Sequence, residues 1–201
     1  MSGSTHHEVA DAFPLEYLDG LAKSIRACRQ FTVNNLNRDF VGTRGFSVVF
    51  VRDSVAKVAT EFPFFGPYLQ QALRPDCNAF YLNPLQLESG SRVDPHIDRS
   101  LRSYCKDITT PVQVSVLYVD VPPGMRGGSL VLARGKKTLA RVQPRSNLRV
   151  DFDGDLTHSV ERVDSPGRRL SLVCEQYALD ERELAEVPSY RVETRARDYG
   201  S

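Results

Sequence analysis

From Ala79 to Tyr177 the chain is cut into short runs rich in Val, Leu and aromatic residues: 79–87, 112–121, 129–133, 138–142, 148–152 and 170–177. Turn-forming clusters separate them, among them Glu88-Ser89-Gly90-Ser91, Pro122-Pro123-Gly124, Gly127-Gly128, Arg134-Gly135 and Ser165-Pro166-Gly167. Their close, even spacing with turn signals between them predicts a β-sandwich or barrel rather than βαβ units. Before Pro75 the texture differs. Leu15, Leu18, Leu21, Ala22, Ile25 and Cys28 recur at spacings of three and four, which predicts one amphipathic helix between Phe13 and Arg29. Residues 30–52 carry Asn, Gly and aromatics and one β-type run at 46–51. Asp53 or Ser54 then offers a cap for a helix through Phe62, with Pro63 and Gly66-Pro67 interrupting it before Tyr68–Leu73. The fold class expected is mainly β with N-terminal helices.

A chain of 201 residues, 41% hydrophobic, suffices for one domain with a sizeable core. We expect a single domain over 1–201, in which 1–75 is a mainly helical support, 76–179 the β core and 180–201 a charged tail of surface helix and extended chain. Lys plus Arg number 26 against 25 Asp plus Glu, a formal charge of +1, so no broad positive field argues for nucleic acid or an anionic membrane. No apolar run approaches the roughly 20 residues of a membrane helix, and the start lacks the build of a signal peptide. The expected location is cytoplasmic. Cys28, Cys77, Cys105 and Cys174 form no CxxC pair and suggest neither a zinc ribbon nor a disulfide framework. His6 and His7 read as a short tag remnant or a mobile end, without a ligand role.

The chemistry concentrates in Asp94-Pro95-His96-Ile97-Asp98. Residues i and i+2 of an extended chain face the same side, so His96 and Asp98 can share one metal. One histidine follows, His158. Two His and one carboxylate on one face of an octahedral metal leave three positions open, the arrangement of non-haem Fe(II) oxygenases. Eleven residues further stands Arg169. Its guanidinium is permanently charged and binds carboxylates through paired hydrogen bonds, so pointing into a barrel it implies an acidic partner.

In this ordered series the sequence resembles the Fe(II)- and 2-oxoglutarate-dependent dioxygenases, particularly the prolyl-hydroxylase-like branch. The likeness covers 79–177: a strand and Gly-containing turn leading into His96-Ile97-Asp98, then Val116-Leu117-Tyr118-Val119-Asp120, the pair Gly127-Gly128, His158, and Arg169 opening a final strand. The resemblance implies a double-stranded β-helix (jelly-roll, cupin-like) core, with His96, Asp98 and His158 as catalytic iron ligands. It assigns Arg169 and Tyr118 to the distal carboxylate of 2-oxoglutarate. It further implies that Fe(II), 2-oxoglutarate and O2 together hydroxylate an unactivated C–H bond, with release of succinate and CO2. Of the adjacent Arg168 and Arg169 only one can face inward, and Arg169 stands where the family places its arginine. A tyrosine common in the family falls at Leu87, so its hydrogen bond is absent or comes from elsewhere, with Tyr81 or Asn83 as weak substitutes.

Asp98 favours hydroxylation over halogenation, because the family's halogenases carry a small residue there. Base-repair members usually carry a second Arg six residues after the first; here Glu175 stands at that position, which speaks against nucleic acid. Glu175 is a candidate for meeting a cationic substrate near the mouth of the site, against the alternative of a surface Glu paired with an Arg. Arg99 and Arg102 are candidates for a substrate carboxylate, against solvated surface Arg. The expected substrate is a small molecule, amino-acid- or peptide-like. The alternatives are a protein side chain, as in prolyl hydroxylases, or a cupin-like binding protein without catalysis.

Overall fold

The computed structural model describes residues 5–34 and 39–195. Its elements are, in order, β1 (His6–Val9), α1 (Leu15–Ala27), β2 (Thr32–Asn34), β3 (Phe40–Gly45), β4 (Ser47–Val51), α2 (Val55–Glu61), α3 (Gly66–Ala72) and β5 (Ala79–His96). There follow β6 (Gln113–Asp120), β7 (Leu130–Arg134), β8 (Lys137–Val142), β9 (Arg149–Asp153), β10 (Thr157–Val160), β11 (Arg168–Tyr177), α4 (Glu181–Glu186) and β12 (Tyr190–Glu193). All strand pairs are antiparallel, and the sheet runs β1-β9-β6-β11-β5-β10-β7-β8, curling into a jelly roll. On the other edge of β5, β4 and β3 pair in succession. Pro84, which lacks an N–H, falls at the break between Leu82, paired with β4, and Leu85, paired with β3.

Period-two alternation in β5, β6 and β11 separates two interiors. One face, with Phe80, Leu82, Leu117, Val119, Leu170, Leu172 and Cys174, packs with the helices. Leu18, Leu21, Ala22 and Ile25 of α1 are buried against it, each large apolar side chain contributing roughly 1.5–3 kcal/mol relative to exposure. Buried Asn147 fixes where α1 begins: its Oδ1 accepts from Phe13 N at 2.9 Å and its Nδ2 donates to Phe13 O at 2.7 Å. The opposite face of the same strands lines an internal cavity.

The strand expected over 79–87 runs on to His96. Gly90, at φ +86°, turns the chain, and Ser91 Oγ accepts from Glu88 N and donates to Gly42 O. Past this turn β5 exchanges its partner β11 for β10. β10, absent from the expected runs, is four residues long and polar at three of them, so it carries little periodic signal. β1 was also not anticipated: rather than a mobile end, His6 and His7 lie in a strand paired with Phe152 and Asp151 of β9. In the tail, Asp180 and Glu183 form a capping box for α4, and β12 joins the sheet beside β4; residues 196–201 of the expected tail lie outside the described residues. Among the described residues no disulfide forms, and Cys77, Cys105 and Cys174 are buried. No described helix is long and apolar enough to cross a membrane.

Candidate functional site

The exchange of strand partners at Gly90 makes His96 and His158 direct cross-strand neighbours. Their ring centroids lie 4.3 Å apart. Asp98, two residues beyond the end of β5, stands between them: its Oδ1 is 3.2 Å from His96 Nε2 and its Oδ2 is 3.3 Å from His158 Nε2. The donor atoms of all three residues lie within 4.8 Å of one another.

Backbone carbonyls two residues upstream set the imidazole tautomers. His96 Nδ1 is 2.8 Å from Asp94 O, and His158 Nδ1 is 3.3 Å from Leu156 O. A proton on each Nδ1 satisfies these carbonyls and leaves both Nε2 lone pairs for a metal. Among the described residues, buried His96 Nε2 and Asp98 Oδ2 also lack any hydrogen bond of acceptable geometry, although His96 Nε2 lies within ion-pair distance of Asp98 Oδ1, and Asp98 Oδ2 of His158 Nε2. Cis ligands about 2.1 Å from an octahedral metal stand roughly 3 Å apart, close to the separations observed. The three residues therefore fit a divalent metal. Burial alone would raise the Asp98 carboxyl, but His158 and His96 hold it well below the usual carboxylate range. Burial pulls the His96 imidazolium down, and the Asp98 carboxylate outweighs that to leave it raised.

The second feature of the cavity is a buried cation. Arg169 is 1% exposed, its Nη1 donates to Gly128 O, and its Nε has no partner among the described residues. Burial lowers its pKa, and only Tyr118, whose ring centroid lies 5.1 Å from Cζ, acts against this. Gly128 has φ +71°, and a Cβ there would come within 3.2 Å of Arg169 Nη1, so the glycine permits the close approach. Tyr118 Oη and Ser171 Oγ, which line the same cavity, are buried without partners among the described residues. A cation and two hydroxyls left unsatisfied in one wall are costly unless an anion arrives, and a carboxylate satisfies all three. Arg168 points outward: it is exposed, with Glu88 Oε2 at 3.5 Å.

Triad and Arg169 line one cavity of about 240 Å³. Phe40 and Phe152 wall the imidazoles, with ring centroids 5.5 Å from His96 and 5.0 Å from His158. Arg99 is exposed at the rim; Arg102 lies outside the lining, with Nε donating to Lys106 O. Leu87, at the position of the family's tyrosine, is buried in an apolar cluster with Leu85, Val93 and Val163. Tyr81 and Asn83 both line the cavity. Glu175 is not on the surface: it is buried in the cavity wall, accepting from Ser100 N at 3.2 Å, Ser100 Oγ at 2.5 Å and Tyr177 Oη. Burial first, and the Asp98 charge second, push its carboxyl up to about 8. Alternation from Arg169 places Ser171 on the inward face, although the sequence gives it no role; Ser100 was missed, because its role depends on a contact 75 residues away.

No family model matches the sequence, and no curated protein does. Solved structures do match. A prolyl-4-hydroxylase of Pseudomonas putida is 17% identical with a TM-score of 0.61, over 89% of this chain and 95% of that one. A prolyl hydroxylase from Trichoplax adhaerens, in complex with a hypoxia inducible factor oxygen degradation domain peptide fragment, is 14% identical with a TM-score of 0.59, over 91% and 87%. HygX from Streptomyces hygroscopicus, with nickel, 2-oxoglutarate and hygromycin B bound, is 13% identical with a TM-score of 0.52, over 85% and 82%. At these identities the likeness establishes a shared fold, and that fold is the double-stranded β-helix expected from the sequence.

Proposed function

We propose that the protein is an Fe(II)- and 2-oxoglutarate-dependent oxygenase that hydroxylates an unactivated C–H bond of a small amino-acid- or peptide-like molecule. The observation that carries this reading is the pairing, in one cavity, of a His-Asp-His cluster with a buried arginine lacking any carboxylate partner among the described residues. A metal-binding protein without a co-substrate has no use for the second element.

His96, Asp98 and His158 hold the iron through Nε2 and carboxylate oxygens, their orientation fixed by the carbonyls of Asp94 and Leu156. Arg169 binds the distal carboxylate of 2-oxoglutarate with charge-assisted hydrogen bonds, and Tyr118 and Ser171 donate to the same group. Iron with 2-oxoglutarate and O2 supplies the oxidising chemistry that inserts one oxygen into substrate while yielding succinate and CO2. Phe40, Val116, Leu130 and Val160 give the cavity apolar walls that exclude water from the reacting end. Arg99, exposed at the rim, is the partner offered to a substrate carboxylate. Incubation with Fe(II), 2-oxoglutarate and O2 against pools of amino acids and short peptides tests this reading. The expected result is one product heavier by one oxygen, formed in step with succinate; succinate formation that no pool stimulates, with no oxygenated product, would contradict it.

A further inference from the structure

The inward face of β11 carries Arg169, Ser171, Val173 and Glu175, so a buried cation and a buried carboxylate stand six residues apart, roughly 20 Å along the strand. The metal cluster lines the same cavity. Arg169 has no carboxylate partner and Glu175 has no cationic one among the described residues: all three of its donors, Ser100 N, Ser100 Oγ and Tyr177 Oη, are neutral. Burial holds Glu175 toward its protonated form; a cation arriving beside it draws off that proton, and the ionised carboxylate offers about four acceptor positions, so one remains.

Asn83 adds a second acceptor. Asn83 Nδ2 donates to Ser47 Oγ at 3.0 Å, which in turn donates to Tyr81 Oη at 2.6 Å, and the amide Oδ1 is left as the unused end. Asn83 is 8% exposed, lines the cavity, and its Oδ1 has no partner among the described residues. In the register of β5 with β11, Tyr81 faces Glu175 and Asn83 faces Val173. Asn83 and Glu175 are thus diagonal neighbours, about 7–8 Å apart, a span one multi-donor group can bridge. A buried carboxylate and an orphaned amide oxygen are both satisfied by positive charge carried on N–H groups.

From this geometry we infer that the Glu175–Asn83 end of the cavity is the substrate subsite and takes a cationic nitrogen group, an ammonium or a guanidinium. The inference rests on the oxygenase reading, with 2-oxoglutarate at the Arg169 end and the metal cluster in the same cavity. It makes the substrate a basic molecule rather than an uncharged one.

The test is calorimetric titration of the protein loaded with Mn(II) and 2-oxoglutarate, in which no turnover occurs. L-lysine, L-arginine and agmatine are compared with acetylated, amidated norleucine and citrulline, which carry no cationic nitrogen, and acetylated, amidated lysine distinguishes a free molecule from a chain-embedded residue. The cationic compounds should bind about tenfold tighter or more, and Glu175→Gln should reduce that preference to about threefold or less. Equal binding of charged and uncharged compounds, or a preference that survives in Glu175→Gln, overturns the subsite. Should Glu175→Gln fail to fold, because Glu175 also holds Ser100, the comparison on the wild-type protein decides. Failure of 2-oxoglutarate to bind in the loading step would overturn the oxygenase reading instead, and a cation preference found in that case would still uphold the subsite.

Discussion

Replacing Tyr118 by Phe separates a group kept for a ligand from one kept for the fold. Tyr118 is fully buried, and its Oη has no hydrogen-bond partner among the described residues. A buried hydroxyl left unsatisfied costs about 1–3 kcal/mol, so removing it from the unliganded protein should leave stability unchanged or raise it. The ring, and with it the contact to the Arg169 guanidinium at 5.1 Å, is retained in Phe. With 2-oxoglutarate present the sign reverses. A hydrogen bond from Oη to a carboxylate contributes about 1.5–3 kcal/mol, which corresponds to roughly a 10- to 150-fold loss of co-substrate affinity. Urea denaturation of the unliganded proteins and calorimetric titration of 2-oxoglutarate into the Mn(II)-loaded proteins measure the two effects. Destabilisation by more than about 1 kcal/mol with unchanged co-substrate affinity would refute the reasoning, because the hydroxyl would then serve the fold.

The adjacent arginines should separate cleanly. Arg169→Leu removes a buried unpaired cation, so it should abolish measurable 2-oxoglutarate binding while the unliganded protein loses little stability or gains some. Arg168→Leu, at an exposed pair with Glu88, should change stability by less than about 1 kcal/mol and leave co-substrate binding intact; the reverse pattern in titration and denaturation would show that Arg168 is the ligand. Metal affinity should depend on pH in one direction. His96 is held above its ordinary pKa by Asp98 in the metal-free protein, and metal must displace that proton, so affinity should fall about tenfold per unit as pH drops through and below the histidine range. Mn(II) titrations between pH 5.5 and 8 check this, and a flat profile would contradict it.

What was legible in the sequence follows from period. The odd positions 169, 171, 173 and 175 and the even positions 170, 172 and 174 of β11 separate into cavity and core faces as alternation requires, and the face of α1 is read as directly from its three-and-four spacing. The spacing of His96 and Asp98 was informative because two residues of extended chain preserve the face. What joins His158 to them was not legible, since it depends on a strand that changes partner at Gly90 and on a four-residue strand without periodic signal. β1 escaped for a related reason: its two histidines and a glutamate carry no apolar alternation, and β9 supplies the pairing that makes them a strand. Glu175 admitted two readings in sequence because position alone does not reveal burial. Ser100 and Tyr177, which donate to it, come from a turn 75 residues upstream and from its own strand.

The claim on which the rest depends is that the His-Asp-His cluster and Arg169 serve one chelated co-substrate. Anaerobic titration of the metal-free protein with Fe(II) and 2-oxoglutarate, followed by the visible charge-transfer absorption of the chelate, tests it directly. The account predicts a band that requires both components, is absent in His96→Ala, and needs far more 2-oxoglutarate in Arg169→Ala. Confirmed Fe(II) binding with no band at saturating 2-oxoglutarate would contradict it.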